Sequence, residues 1–249
     1  MKYTIGTIKT RPTSISKFCR WYVPCLQDVG SGSPSSISQD LPNMLIGAAT
    51  SDASIWSNSG FVTSTSGVAQ DKGVSFPSTV LNWDGCKGQS LLYFFQVQGT
   101  DPGAGSRISG NRRGGIGISF QSDGTGKISF LMRDNLTSVQ YGPYGPVFDG
   151  ATHSVCVYID GVLKKISIWI DGVITSISGA DISANLVGTT NSDLPFGFGH
   201  DGNPAASSTF AMKFRNLHAY VKPAVIPNID ALVARLQKNP FVPLSETEL

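Results

Sequence analysis

One stretch, from His153 to Ser178, most constrains what this chain can fold into, because three short β-rich runs are separated there by two Asp-Gly pairs. The alternating β-branched residues are Val155, Val157 and Ile159 in the first run and Ile166, Ile168 and Ile170 in the second. A period of two places one side of each strand in an apolar layer. The pairs Asp160-Gly161 and Asp171-Gly172 favour the positive φ angles of tight hairpin turns. We therefore predict an antiparallel meander of three strands and two turns, with an irregular Gly-rich loop as the alternative.

Composition narrows the function classes. The 249 residues allow one or two domains, and a β-sandwich of this length often forms a single domain. Charged residues make up only 14% and the formal net charge is +2, which gives no electrostatic basis for nucleic-acid binding. The longest apolar run, residues 91–95, is too short to span a bilayer, and the first residues lack the apolar core of a signal peptide. We expect the chain to be synthesised in the cytoplasm and not to insert into a membrane.

The N-terminal 40 residues differ in composition from the rest of the chain. Aromatic and basic residues occur together there, and a Gly/Ser-rich linker follows over residues 30–40. The residues expected to contact a partner are Phe18, Arg20, Trp21 and Tyr22. The pattern predicts an attachment arm over residues 1–40 that docks on a partner, and the alternative is that the arm folds back onto its own domain.

Residues 41–224 are predicted to form one sandwich of short strands. The most apolar strand, residues 90–97, is expected to be buried on both faces. Residues 116–133 predict a hairpin around an Asp-Gly-Thr-Gly turn. The Gly-rich residues 99–115 predict an exposed loop, and the Pro/Gly-rich residues 141–150 predict a turn region.

One helix is predicted, and it comes last, within a C-terminal segment of residues 225–249. Its apolar stripe has i, i+3, i+4 and i+7 spacing and consists of Ile229, Leu232, Val233 and Leu236. Asn228 is the expected N-cap, and Asn239-Pro240 ends the helix. The stripe should pack either on the sandwich or on a neighbouring subunit.

Several phrases between about Asp71 and Val221 resemble the laminin-G-like branch of the concanavalin A-like lectin/glucanase superfamily. They are AQDKGVSFP, SLLYFFQVQG, GIGISFQSDGTGKISFLMRDN, GATHSVCVYIDGVLKKISIWIDGVIT and PFGFGHDGNPAASSTFAMKFRNLHAYVK. The strongest element is a His-led strand followed by a strand that ends in Ile-Asp-Gly-Val. This resemblance implies an all-β fold, a two-sheet antiparallel jelly-roll sandwich, with the arm and the C-terminal helix outside it.

Catalytic chemistry has little support in the residues. Enzymes of this superfamily cleave glycans with paired carboxylates, usually two Glu on one strand. The two Glu of this chain, Glu246 and Glu248, both lie in the tail, and no strand carries two Asp two residues apart. The cysteines match no zinc signature; Cys156 should be a small buried hydrophobe, and nothing requires Cys19 to pair with Cys25. We expect a protein that is not an enzyme.

Glycan binding is the function that the resemblance implies, and it needs aromatic platforms together with amides, carboxylates or arginines in loops. The candidates are Arg112, Arg113, Tyr141, Tyr144, His200, Asp201 and Asn203. Trp169 faces away from the isoleucine stripe, so we expect it to be partly exposed on the other face of its sheet. His153 and His218 occupy strand positions and are expected to be structural.

A calcium ion at the rim of the sandwich is the one cofactor that the resemblance implies, and none is required. Asp193, Asp201 and Asn203 would supply hard oxygen ligands in one loop. The alternative for these three residues is a solvated polar loop.

The helix running into Asn239-Pro240-Phe241 resembles the ends of such domains in virion proteins of tailed bacteriophages. The leading hypothesis is a non-enzymatic tail or fibre protein that presents a lectin-like domain to surface glycan. Other virion proteins, and other copies of the chain, would be its partners in the assembly. The alternatives are a structural decoration (cement) protein of the capsid or tail and a cellular carbohydrate-binding module.

Overall fold

The computed structural model describes residues 16–23, 56–57, 60–62, 74–76, 78–112, 115–199 and 212–249. These residues form two antiparallel sheets that face each other, and a C-terminal helix covers the second face of the larger sheet. The predicted fold class, an all-β antiparallel sandwich with one C-terminal helix, is confirmed. No helix in the described ranges is long and apolar enough to cross a membrane.

The larger sheet has nine described strands, in the order β12-β11-β10-β5-β15-β3-β2, with β1 also paired to β15 and β13 to β11. Their bounds are β1 Cys19–Val23, β2 Trp56–Ser57, β3 Gly60–Val62, β5 Ser90–Thr100, β10 Asp149–Asp160, β11 Lys165–Ile170, β12 Val173–Ile174, β13 Ala180–Asp181 and β15 Lys213–Lys222. The central strand β5 is buried along residues 90–95, so its predicted burial on both faces is confirmed.

The smaller sheet has six described strands in the order β4-β14-β6-β7-β8-β9. Their bounds are β4 Val74–Phe76, β6 Arg107–Gly110, β7 Gly117–Ser122, β8 Ile128–Arg133, β9 Ser138–Tyr144 and β14 Phe196–Phe198. The predicted hairpin is β7 and β8, which pair in register from Gly117 opposite Arg133 to Ser122 opposite Ile128.

Two of the sequence predictions for loops are wrong. Residues 99–115 contain strand β6 and buried Arg112 as well as a loop, and residues 141–150 contain the end of β9 and the start of β10. Glycine and proline are frequent in turns, but a sheet tolerates them at edges and bulges. β9 is such an edge strand, and its pairing with β8 is irregular between Ile128 and Phe130.

The main core lies between the sheets and is rich in aromatic rings. Tyr93 and Phe95 of β5 contact Phe120 of β7 and Phe198 of β14, with ring centroids 5.3–6.3 Å apart. Such tilted and edge-on arrangements are the favoured geometries of aromatic pairs. The core therefore fixes how the two sheets sit on each other.

The predicted meander is confirmed as β10, β11 and β12. Val157 lies opposite Ile168 and Ile159 opposite Ile166, so both isoleucine and valine stripes face the main core. Asp171 and Gly172 have φ angles of 53° and 76°, as the tight turn requires. The first turn differs, because the positive φ falls on Lys164 at 55° and not on Gly161. This first connection is longer than a tight turn. Residue 161 must be glycine because a Cβ atom there would overlap the backbone of Gln89.

The C-terminal helix, Ile229–Lys238, has the bounds that its apolar stripe predicts. Leu232, Val233 and Leu236 are buried against the outer face of the larger sheet. Trp169 lies beneath it at 2% exposure and donates from Nε1 to Asp230 Oδ1 at 3.2 Å. The prediction of a partly exposed Trp169 is therefore wrong, because the helix supplies a second apolar layer.

Asn228 does not cap this helix in the predicted way. Its backbone is left-handed, with a φ of 52°, and its side chain makes no capping hydrogen bond. Asparagine is one of the few residues that adopts this conformation readily, so it provides a turn into the helix. The helix is held in place by its buried face and not by its cap.

A buried histidine ties the C-terminal tail to the sheet. His218 Nε2 bonds the Pro240 carbonyl at 2.7 Å, so it carries the proton, and Nδ1 lies 3.0 Å from the Tyr220 hydroxyl. The same hydroxyl accepts the Leu244 N–H at 2.8 Å. Burial lowers the pKa of His218 to about 4, which keeps it neutral at pH 7. His218 is structural, in agreement with the sequence expectation.

The described part of the predicted arm, residues 16–23, belongs to the sandwich. Trp21 is 1% exposed and stacks on Phe76, with centroids 4.7 Å apart. Tyr22 packs on His218 at the other face, while Phe18 and Arg20 are partly buried. These residues take the fold-back alternative, since their aromatic surface fills the core of the chain itself. The division of the chain at residue 40 stays a prediction.

The cysteines behave as small buried groups. Cys156 is 2% exposed and Cys19 is a free thiol at 8% exposure, and burial raises the pKa of Cys19 to about 12. Cys25, its suggested partner, lies outside the described residues.

Gly161 gives a test of the first turn of the meander. A Cβ atom there would overlap the backbone carbonyl of Gln89, whereas a Cβ on Gly115 meets its nearest atom at 3.7 Å. We expect Gly161→Ala to lower the free energy of unfolding by about 2 kcal/mol, the usual scale of overpacking. Gly115→Ala, the matched control, should stay within about 0.5 kcal/mol. Urea unfolding measures both, and equal stability of the two variants would contradict the steric reading.

Candidate functional site

A groove of about 440 Å³ lies along one side of the sandwich, between the edge strand β9 of the smaller sheet and the edge strand β12 of the larger one. We call it the edge groove. Its lining is Pro143, Tyr144, Gly145, Pro146, His153, Ile170, Asp171, Val173, Ile174, Thr175 and Ser176. It combines an aromatic ring, exposed aliphatic side chains, hydroxyl groups and a carboxylate, a mixture that is common in ligand sites.

An irregularity in β9 turns two tyrosines to the same face. Tyr141 lies opposite Phe130 and Tyr144 opposite Ile128, although the two tyrosines are three residues apart. Regular alternation would point them to opposite faces, so the bulge decides their orientation. Both pack partly buried against the main core, and burial raises the pKa of both phenols. Tyr144 lines the edge groove together with Thr175 and Ser176.

His153 sits at the end of the groove between two carboxylates. Nδ1 lies 2.7 Å from Asp171 Oδ2, and Nε2 lies 2.9 Å from Asp149 Oδ1. Burial alone would lower the pKa of His153, but the hydrogen bonds to Asp171 and Asp149 raise it above its usual value. Both ring nitrogens face carboxylate oxygens, which only accept hydrogen bonds, so both carry a proton and the imidazolium joins β10 to the turn after β11.

Asp171 has a larger role than the sequence indicates. Besides forming the turn, its Oδ1 accepts the Ser154 N–H at 2.8 Å and its Oδ2 holds His153. Its side chain remains 41% exposed and lines the groove. Sequence reasoning gave Asp171 a turn role only. The contact joins residues 18 positions apart, on β10 and in the turn after β11, so no local spacing signals it.

The other predicted glycan residues do not join the edge groove. Arg112 is 8% exposed and donates to Ser138 Oγ at 2.9 Å, at the opposite end of β9. Arg113, His200, Asp201 and Asn203 lie outside the described residues. The structure therefore brings Tyr141 and Tyr144 together and separates Arg112 from both.

The calcium prediction stays a prediction. Asp193 is exposed, and its expected co-ligands Asp201 and Asn203 lie outside the described residues. Among the residues that are described, no group of three or more His, Cys, Asp or Glu side chains could hold a metal ion.

The two carboxylates near the groove are arranged around the His153 imidazolium. Asp149 and Asp171 flank one imidazole, so neither is positioned as an acid opposite a base across an open space. The two glutamates lie in the tail, where Glu246 pairs with Lys17 and Glu248 with Arg235 at 3.1 Å. The edge groove can contact a ligand through hydrogen bonds and apolar surface.

Comparison with known proteins identifies the fold but no family. No protein-family model matches the chain, and no curated protein does either. The crystal structure of HCR/D-Sa-GBL1/C aligns with a TM-score of 0.53 at 14% identity. The binding domain of botulinum neurotoxin DC, in complex with rat synaptotagmin II, aligns with a TM-score of 0.50 at 13% identity.

A third structure concerns botulinum neurotoxin type C, whose cell entry depends on interaction with two ganglioside molecules; it aligns with a TM-score of 0.50 at 16% identity. The three alignments cover 72–73% of this chain and 43% of each of the others. The chain thus matches less than half the length of these structures. At such low identity the similarity shows a shared β-sandwich fold and nothing finer.

Removing His153 tests the charge assignment at the groove. Because the folded pKa is raised, the stabilisation by His153 is complete below pH 6.5 and is lost as the pH rises through the folded value. We expect the stability difference between the wild type and His153→Gln to be largest near pH 5.5 and to shrink towards pH 9. Urea unfolding across this range measures it. A difference that grows with pH would show that His153 is held neutral.

Proposed function

We propose that this chain is a non-enzymatic, lectin-like protein that binds glycan in the edge groove. The observation that carries the proposal is the lining itself: the Tyr144 ring beside the Ser176 hydroxyl and the Asp171 carboxylate. Sugars offer apolar C–H faces and hydroxyl groups, which such a lining can contact and hydrogen-bond. The fold is shared with the binding domain of botulinum neurotoxin DC and with botulinum neurotoxin type C, whose cell entry depends on two ganglioside molecules, and this adds support.

The groove is rigid enough to select a ligand. The Asp171–His153–Asp149 contacts hold one end, and Gln237 of the C-terminal helix packs beside Gly172 and bonds the Ser154 hydroxyl. A site fixed before binding loses less conformational entropy when the ligand enters. The β-bulge in β9 orients Tyr144 in the same way from the other sheet.

The biological setting proposed is a tailed-bacteriophage virion, with the domain on the tail or fibre. It rests on the sequence resemblance to the laminin-G-like, concanavalin A-like branch and on the similarity of the C-terminal end to those virion proteins. A calcium ion bound by Asp193, Asp201 and Asn203 near the rim belongs to this proposal. Glycan binding would then depend on calcium.

Replacing Tyr144 tests glycan binding at the groove. We expect Tyr144→Ala to weaken glycan binding about tenfold or more, because truncating an aromatic anchor costs on the order of 1–2 kcal/mol. The measurement is saturable binding of the purified chain to a glycan array and to whole cells, with calcium and with chelator. Tyr141→Ala is the matched control, since Tyr141 is similarly buried on the same strand but does not line the groove.

Equal loss in both variants would indicate a general effect of destabilising β9 and would contradict binding at the groove. Loss of binding with chelator alone would support the calcium site. Absence of binding to every glycan and cell surface, from a folded sample, would reject the lectin role and favour the second candidate function.

A second candidate function, structural decoration of a virion, is favoured by an apolar surface at the far end of the sandwich. Four aliphatic side chains are 50–69% exposed there, on the turns after β8 and β10 and in the 186–188 segment. They are Leu136, Val162, Leu163 and Val187. We call this set the apolar end. Exposed apolar groups that lie close together often mark protein contacts.

Buried carboxylates hold the apolar end in shape. Asp134 is fully buried and accepts the N–H groups of Leu136 and Val187 at 2.8 and 2.9 Å, among others. Although burial would raise it, these donors lower the pKa of Asp134 to about 2. Asp160 accepts the Val162 and Leu163 N–H groups in the same way. The turn backbones are thus satisfied internally, so covering them with a partner would leave no stranded donor.

Polar substitution separates the two functions. If the apolar end binds virion proteins, the double variant Leu136→Ser/Val187→Ser should reduce co-sedimentation with assembled particles by about tenfold, through loss of apolar contact area. Its stability and glycan binding should be unchanged, because both side chains are exposed. Phe241→Ser, 50% exposed on the helix side, is the control. Normal incorporation of the double variant would remove the support for the decoration role.

A further inference from the structure

Resting on the proposed glycan-binding function, we infer that the edge groove takes uncharged or amine-bearing sugars and excludes sugars that carry a carboxylate. The inference concerns the ligand class, which the shared fold does not determine. Exposed carboxylates reach the groove surface, whereas no lysine or arginine of the described residues lines it.

The charge that a ligand meets in the groove is negative. Apart from the Tyr144 phenol, the ionisable residues of the lining are His153 and Asp171. The Asp171 side chain is 41% exposed, whereas that of His153 is only 12% exposed. Both ring nitrogens of His153 are already bonded to carboxylates, so the imidazolium has no N–H left to offer to an anionic ligand.

The charges at this end of the groove do not cancel. One imidazolium lies between two carboxylates, and the second of them, Asp149, is 48% exposed. The trio therefore carries one surplus negative charge. A ligand carboxylate brought into hydrogen-bond range would be repelled by it, and a ligand ammonium would be attracted.

No lysine or arginine of the described residues lines the groove. Arginine and lysine are the usual partners of ligand carboxylates, since they offer charge-assisted hydrogen bonds. Arg112, one of the glycan-binding candidates of the sequence, donates to Ser138 at the start of β9. Ser138 and Tyr144 lie opposite Arg133 and Ile128 of β8, which are five residue steps apart on an extended strand, a distance of about 17 Å. Arg112 therefore cannot offset the carboxylates of the groove.

Asp171 is also equipped to hold a neutral or amine-bearing sugar. Its two oxygens accept from Ser154 N–H and His153 Nδ1, which leaves lone pairs directed to solvent. A sugar hydroxyl or ammonium can donate to them, while the hydroxyl of Ser176 lies on the same wall. Asp171 is therefore the residue of this site that selects ligands by their charge.

The test compares matched sugars on the full-length chain. Lactose is paired with 3′-sialyllactose, and chitobiose with its de-N-acetylated form, each titrated at low ionic strength by calorimetry or immobilised on one array. We expect sialylation to weaken binding at least about tenfold and de-N-acetylation to leave it equal or stronger. The discrimination should fall at 0.5 M salt, because exposed charges are screened at such concentrations.

Asp171→Asn should reduce the penalty for sialylation to about threefold or less. Asparagine tolerates the left-handed backbone at this position, where φ is 53°, so the turn should survive. Asp149→Asn removes the surplus charge without altering the lining and should act in the same direction. Asp181→Asn is the matched control, since Asp181 is an exposed carboxylate opposite Lys165, at the far end of β11.

The outcomes separate this inference from the function on which it rests. Sialylated sugars that bind as tightly as their neutral partners, with Tyr144→Ala still weakening both, would overturn the charge selection and leave glycan binding standing. A folded protein that binds none of the sugars on the array would contradict both. Discrimination that is unchanged in Asp171→Asn and Asp149→Asn would show that these carboxylates do not cause it.

Discussion

Burial of both faces of the nine-stranded sheet is the constraint on which the rest of the structure depends. Its central strand β5 sends Tyr93 and Phe95 into the main core and Leu92 and Phe94 to the opposite side. An apolar sheet face exposed to water is unfavourable, so each face needs a cover. The six-stranded sheet covers one, and the C-terminal helix and tail cover the other. The three-layer arrangement follows from the apolar character of both faces of this sheet, because the neighbouring strands add Tyr158, Trp169 and Tyr220 to the outer face.

Carboxylates shape the surface at both ends of this frame. Asp171 and His153 fix the edge groove at one end, while Asp134 and Asp160 fix the turns of the apolar end at the other. In each case a short side chain accepts several backbone or ring N–H groups, which holds a loop without any apolar packing of its own. The two surfaces lie at opposite ends of β10, which runs from Asp149 beside the groove to Asp160 at the apolar end.

Local patterns predicted the regular elements well. The alternation in β10 and β11 and the 3.6-residue stripe of the helix are properties of the chain itself, so their bounds were found closely. Predictions of a residue's role succeeded less often. Asn228 is predicted to cap the helix, but its backbone forms a left-handed turn before it. Gly161 is predicted to supply a positive φ, but it is needed because a Cβ atom there would overlap the Gln89 backbone. Both depend on neighbours that are distant in sequence or on backbone geometry that composition does not reveal.

The sequence by itself determined the meander and the C-terminal helix, because each depends on periodicity over a few residues, and its resemblance to a known superfamily implied the all-β sandwich. Only the tertiary structure decided that Trp21 and Trp169 are core residues and that Tyr144 and Asp171 share a groove while Arg112 does not. These outcomes depend on which sheet faces come together and on a bulge in β9, and contacts of this kind join positions far apart along the chain.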